Sequence, residues 1–177
     1  QIGSTNTSTI NIGVSGDTVN IPSGVTIANA GTATGFGSTP PNWNAYLSSN
    51  QTIATSTTTL VIFNAELFDS NSAYDTSTGK FTVPSGESGK YYFGAMGYMN
   101  INDTNIFSLE LYVNNSAVAL SRVRTGANGT IAQGVNIIRN LSVGDYVTVK
   151  VDQTYGSDRD LVSGSSISGF WGCKLAS

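Results

Sequence analysis

Apolar and polar residues alternate one for one along most of this chain, a two-residue period that fits strands and not helices. The stretch 63–93 carries it most clearly. Phe63, Ala65 and Leu67 alternate with Asn64 and Glu66, and a polar run over 69–72 then breaks the pattern. Tyr74-Asp75 leads into Ser77-Thr78-Gly79, where the glycine can take the positive φ of a tight turn. Lys80-Phe81-Thr82-Val83 resumes the alternation until Pro84 stops it. Gly86 and Gly89 bracket a further reversal before Tyr91-Tyr92-Phe93 opens a long aromatic strand. Read the same way, the rest of the chain predicts strands near 43–47, 59–68, 80–83, 90–100, 106–114, 117–124, 130–138, 145–153 and 166–175. Eight or so antiparallel strands of this size suit an all-β fold, a double-sheet jelly-roll sandwich.

The ordered set Tyr74-Asp75, Thr78-Gly79-Lys80-Phe81, Pro84, a glycine, then Tyr91-Tyr92-Phe93 resembles the signature of C1q/TNF-like jelly-roll domains. Upstream, Trp43-Asn44-Ala45-Tyr46-Leu47 is similar to the family's first strand. Downstream, Leu109-Glu110-Leu111-Tyr112-Val113-Asn114 resembles the strand before its Asn-Gly hairpin, Leu141 to Val147 its Gly-Asp segment, and Ser168-Gly169-Phe170 its closing motif. The resemblance runs from Asn42 to the end. It departs at Asn115, which stands where the family has the hairpin glycine, and over 171–175 in the closing strand.

Composition narrows the chemistry. Charged residues are 11% of the chain, against roughly 25% in soluble domains generally, and Ser, Thr, Asn and Gly take their place. A net charge of −3 gives no electrostatic hold on phosphates, which argues against nucleic acid as a partner. No apolar run is long enough for a membrane-spanning helix, so no membrane insertion is expected. The lack of histidine removes Ser-His-Asp and Cys-His arrangements, and the single cysteine, Cys173, leaves neither an internal disulfide nor a zinc set. Set among Phe170, Trp171 and Leu175, Cys173 reads as a small buried hydrophobe. The eleven acids are scattered, so no glycosidase-type carboxylate pair emerges and the protein is expected not to be an enzyme. No cofactor is expected either. One acidic cluster, Asp152-Gln153 with Asp158-Arg159-Asp160, reads as a solvated loop or, as the likeness to C1q-like heads implies, as oxygen ligands for an apical Ca²⁺ ion.

Ahead of the resemblance the pattern is finer. Ile10, Ile12 and Val14 alternate, Ser15-Gly16-Asp17 turns, Val19 and Ile21 alternate, Pro22-Ser23-Gly24 turns, and Val25 and Ile27 repeat the motif. Strands this short cannot bury their own side chains. A disordered linker is one reading; a shaft in which neighbouring chains wrap together, with Ile10, Ile12, Val19 and Ile21 between them, is the other. The regular turn glycines and β-branched residues favour the shaft. The sequence opens at Gln1 already inside this pattern, as a piece of a longer or processed polypeptide would. Residues 1–40 are thus expected to form a fibrous β-repeat shaft with a Gly/Pro hinge, and 41–177 a jelly-roll head.

C1q/TNF-like domains associate as trimers with strand aromatics about the threefold axis, which implies Tyr91, Phe93 and Tyr98 as interface residues alongside their alternative role as core. A β shaft with such a head is similar to the distal end of a phage tail fibre. The implied function is receptor binding on a host surface, to a glycan or a protein, by a non-enzymatic homotrimeric fibre tip of a virion. The alternative is a structural subunit of a secreted, extracellular bacterial or spore-surface filament. With the base fixed where the shaft enters near Trp43, alternating strand direction places the loops 155–164, 125–129 and 102–105 at the apex, and those at 114–116 and 140–144 at the base. The apical candidates for receptor contact are Asn102, Asp103, Asn105, Asn128, Tyr155, Asp158, Arg159 and Asp160.

Overall fold

A computed structural model describes residues 15–26, 39–101, 105–124 and 129–176. The chain divides into two compact units, 1–36 and 37–177. In the first, turns form at Ser15-Gly16 and Ser23-Gly24, with φ of 96° at Gly16 and 86° at Gly24, values that glycine adopts without steric cost. Val19, Ile21 and Val25 are exposed and lie in no strand. The expected turns are therefore present; among the described residues, 18–22 and 25–26 form no strand within the single chain, where the expectation has them paired with neighbouring chains. Ile10 and Ile12 lie outside the described residues.

Among the described residues the second unit holds thirteen strands. In chain order they are β1 (Asn42–Tyr46), β2 (Gln51–Ile53), β3 (Thr59–Leu60), β4 (Ala65–Asp69), β5 (Tyr74–Asp75), β6 (Lys80–Thr82) and β7 (Gly89–Ile101), followed by β8 (Ile106–Val113), β9 (Ser116–Arg124), β10 (Gly129–Leu141), β11 (Tyr146–Gln153), β12 (Arg159–Leu161) and β13 (Gly169–Ala176). The first sheet runs β2-β12-β7-β13-β1-β4, with β10 on the other side of β7. The second runs β5-β6-β11-β8-β9, with β3 also on β11. Every pairing is antiparallel. The result is the double-sheet jelly roll that the alternation predicts.

The core lies between the sheets. Trp43, Tyr91, Phe93 and Phe170 from the first meet Phe81, Phe107, Leu109 and Leu111 from the second, all essentially unexposed. The Trp43 indole stacks on Phe81 at 3.7 Å and 9° and meets Phe170 edge-on at 5.4 Å, geometries that aromatic quadrupoles favour. Gly172 is buried beside it because a Cβ there would collide with the indole ring.

The single strand expected over 59–68 is two. β3 pairs with β11 in the second sheet and β4 with β1 in the first, so 61–64 crosses from one sheet to the other. The Gln51 side chain serves the crossing segment in place of a neighbouring strand. Its amide donates to the Leu60 carbonyl at 2.7 Å, and its Oε1 accepts from the Ile62 N–H at 2.9 Å. Three strands are additional to those expected, β2, β5 and β12, each three residues or fewer. Cys173, expected to be buried, is half-buried on the outer side of β13.

At the β8–β9 hairpin the chain keeps a two-residue turn without glycine. Val113 pairs with Ser116, and Asn114 and Asn115 between them have φ of 48° and 66°, as a type I′ turn requires. Asn114 is also tied sideways: its Nδ2 donates to Asp145 Oδ1 at 2.6 Å, and its Oδ1 accepts from the Tyr146 N–H at 3.0 Å. The Ser142 N–H and then the Asn114 amide hold the Asp145 carboxyl below the usual range. Asn114→Ala should accordingly lower stability by about 1–2 kcal/mol, combining lost hydrogen bonds with a left-handed alanine. Asn115→Gly, at a site with no side-chain bond among the described residues, should stay within about 1 kcal/mol of the parent in denaturant unfolding.

Candidate binding site at one end of the sandwich

Strand register decides which loops share an end. Ile101 pairs with Gly129, Ile106 with Arg124, and Phe107 with Gln153. The chain therefore leaves β7, β9 and β11 at one end, while Asn114-Asn115 and the 142–145 turn sit at the other, where Lys90 pairs with Ala176. Tyr155, Asp158 and Asn105 belong to the first end. Asn102, Asp103 and Asn128 lie outside the described residues. Arg159 and Asp160 are not loop residues: they form β12, held between β2 and β7 through Arg159 opposite Ile53, Asp160 opposite Thr52 and Leu161 opposite Met99.

The loop before β12 is fixed from below by Gln153, a fully buried amide at a core-facing position of β11. Its Nε2 donates to the carbonyls of Ile53 at 3.1 Å and Ser157 at 3.0 Å, and its Oε1 accepts from the Tyr155 N–H at 2.7 Å. Thr55 completes the frame. Its N–H donates to Asp158 Oδ1 at 3.3 Å, and its hydroxyl accepts from the Gly156 N–H at 3.0 Å. Tyr155 packs partly against the core, and the Arg159 guanidinium lies 3.4 Å over its ring. Arg159 Nε is enclosed without a hydrogen-bond partner. Asp160 accepts the Thr52 hydroxyl at 2.9 Å. A cleft of about 360 Å³ opens here, lined by Asn50, Asn100, Arg159, Asp160 and Val162. Asn50, Thr52 and Asn100 are the members that sequence reasoning misses, and none carries a local signal; Gln153, named with the acidic cluster, is a polar residue in phase with buried Val147, Val149 and Val151 and serves as frame. Among the described residues no group of three or more acidic or sulfur side chains is placed to hold a metal ion. No helix there is long and apolar enough to cross a membrane.

The two outer faces of the sandwich differ in kind. That of the second sheet is charged and internally paired: Lys150 lies 4.1 Å over Tyr112, Lys80 4.4 Å over Tyr146, and Arg122 Nε donates to Ser108 at 2.9 Å. That of the first carries Tyr46, Phe68, Tyr92, Met96, Tyr98 and Trp171, none of them buried. Gly94 lies beside Trp171, where a Cβ would come within 3.2 Å of the indole Cζ2. Of the three aromatics expected at a threefold axis, Tyr91 and Phe93 are corrected. Both are fully buried in the chain's own core and present nothing to a partner. Tyr98 is separated from each by an odd number of residues, so the two-residue period sends it to the opposite, outward face.

Residues 44–171 match the family model described as the C1q domain. Among solved structures, the globular domain of zebrafish complement 1qA is similar at 19% identity with a TM-score of 0.54, over 75% of this chain and 94% of that one. Eiger TNF from S. frugiperda matches at 14% identity with a TM-score of 0.56, over 77% and 91%. Murine APRIL matches at 12% and 0.56, over 77% and 99%. No curated protein matches the chain. At these identities the structural likeness speaks for the fold, and the family match over most of the head agrees with it: the chain belongs to the C1q domain family.

Proposed function

We propose that this protein is the tip of a homotrimeric, non-enzymatic fibre, of the kind carried by a phage or virus, and that it binds a receptor on the host surface with the end of the head that bears Tyr155, Asp158 and Arg159. The observation that carries the reading is the division of labour between surfaces. The apolar outer face of the first sheet suits burial against further copies, since contiguous aromatic faces of this kind mark association surfaces. The polar end is left free, with its side chains mounted on a frame of hydrogen bonds. The exposed Val19, Ile21 and Val25, spaced by glycine turns, support a fibrous segment that finds its strand partners in neighbouring chains.

Alanine at Tyr155, Asp158 and Arg159 together should abolish attachment of the purified protein to host cells while leaving its oligomeric state and melting temperature close to the parent. Unaltered attachment by this triple variant would move the receptor site elsewhere.

A further inference from the structure

We propose that the cleft bounded by Asn50, Asn100, Arg159, Asp160 and Val162 binds a neutral saccharide through adjacent hydroxyl groups. This rests on the receptor-binding reading and narrows it to a ligand class. The volume, about 360 Å³, falls at the small end of the range for small-molecule sites, where one or two sugar rings belong rather than a protein loop.

The polar groups select the ligand's chemistry. Arg159 is held in place by its stack on Tyr155; its Nε–H is enclosed and out of a ligand's reach, while its two Nη groups are not enclosed and have no protein acceptor among the described residues. Those Nη groups are the donors that Arg159 offers to a ligand oxygen in the cleft. Asp160 presents the complementary need. One carboxylate oxygen takes the Thr52 hydroxyl, and the other has no partner among the described residues and calls for a donor. Asn50 adds a donor, since its Oδ1 is already engaged by the Ser163 N–H at 2.9 Å and its Nδ2 is not. A carboxylate ligand would satisfy Arg159 but face Asp160; an ammonium would satisfy Asp160 but face Arg159 and accept nothing. A hydroxyl both donates and accepts, and a pair of neighbouring hydroxyls serves both walls at once. Val162 offers an apolar contact for the C–H face of a ring.

Saturation-transfer NMR on the purified full chain tests this with methyl glycosides of glucose, galactose and mannose, set against glucuronate and glucosamine as the carboxylate and ammonium counterparts. At least one neutral glycoside should bind at millimolar strength, with Asp160→Ala and Arg159→Ala each weakening it tenfold or more and Asn115→Gly, at the far end, leaving it unchanged. Binding of glucuronate or glucosamine alone, or of no sugar, would overturn the saccharide assignment, as would a neutral glycoside bound equally by all variants. Attachment to host cells, measured in parallel, keeps the two ideas apart. Cells bound without any sugar signal, and lost in the Tyr155, Asp158, Arg159 variant, leave the receptor reading standing and the saccharide idea refuted. Failure to attach to cells while a glycoside still binds refutes the reverse.

Discussion

Trp43→Ala should destabilise the head by about 3–5 kcal/mol, the cost of removing a large buried aromatic together with the void it leaves. That is enough to lower the melting midpoint by roughly 10 °C. The indole joins the two sheets: it projects from β1 in the first, stacks on Phe81 of the second and meets Phe170 of β13 edge-on. The same contact predicts the converse. Gly172→Ala places a methyl where the indole already lies, so it should cost about 1–3 kcal/mol by overpacking. The two changes share one site, and their effects should not add. Alanine at both positions should be less damaging than the sum, because the added methyl then enters the vacated space. Calorimetry on the two single variants and the double variant checks this, and strict additivity would mean that the indole does not sit against Gly172.

Met96→Glu combined with Tyr98→Glu should convert the assembly to folded monomers. Both side chains lie on the outward face of β7, beside the small residues Gly134 and Ala132 of β10, so the substitution leaves the sandwich core untouched. A charge sealed into an apolar interface without a partner costs roughly 3–5 kcal/mol, and every copy would bring two. The strand-type circular dichroism and the cooperative melt of the head should persist in the monomer. A matched pair on the second sheet's outer face, Glu110→Gln with Lys150→Gln, should leave assembly unchanged, because those residues already lie in a solvated, internally paired surface.

What the sequence made legible was the period. β7 through β11 are long enough for alternation to announce them, and their register follows from their lengths and turns, so the end to which Tyr155, Asp158 and Asn105 belong can be deduced by counting strand reversals. The same period, applied strictly, separates Tyr98 from Tyr91 and Phe93; treating the three as one aromatic group loses the distinction between core and outer face. Other features have no local signature. Residues 61–64 stay alternating while they cross between sheets, because Val61 and Phe63 are buried on both sides of the crossing. β12 is three residues long and exists only because β2 and β7 flank it, so its segment looks like loop when read alone. The cleft is less legible still. Asn50, Asn100 and Asp160 are brought together by a crossover between β2, β12 and β7, and nothing in the neighbourhood of any one of them points to the others.

Sedimentation equilibrium of the unsubstituted chain at micromolar concentration tests the account at its centre, since the proposed function needs three heads joined through the outer face of the first sheet. The account predicts a single species of three chains, reduced to one chain by the Met96 and Tyr98 substitutions; a folded monomer from the unsubstituted chain would contradict it.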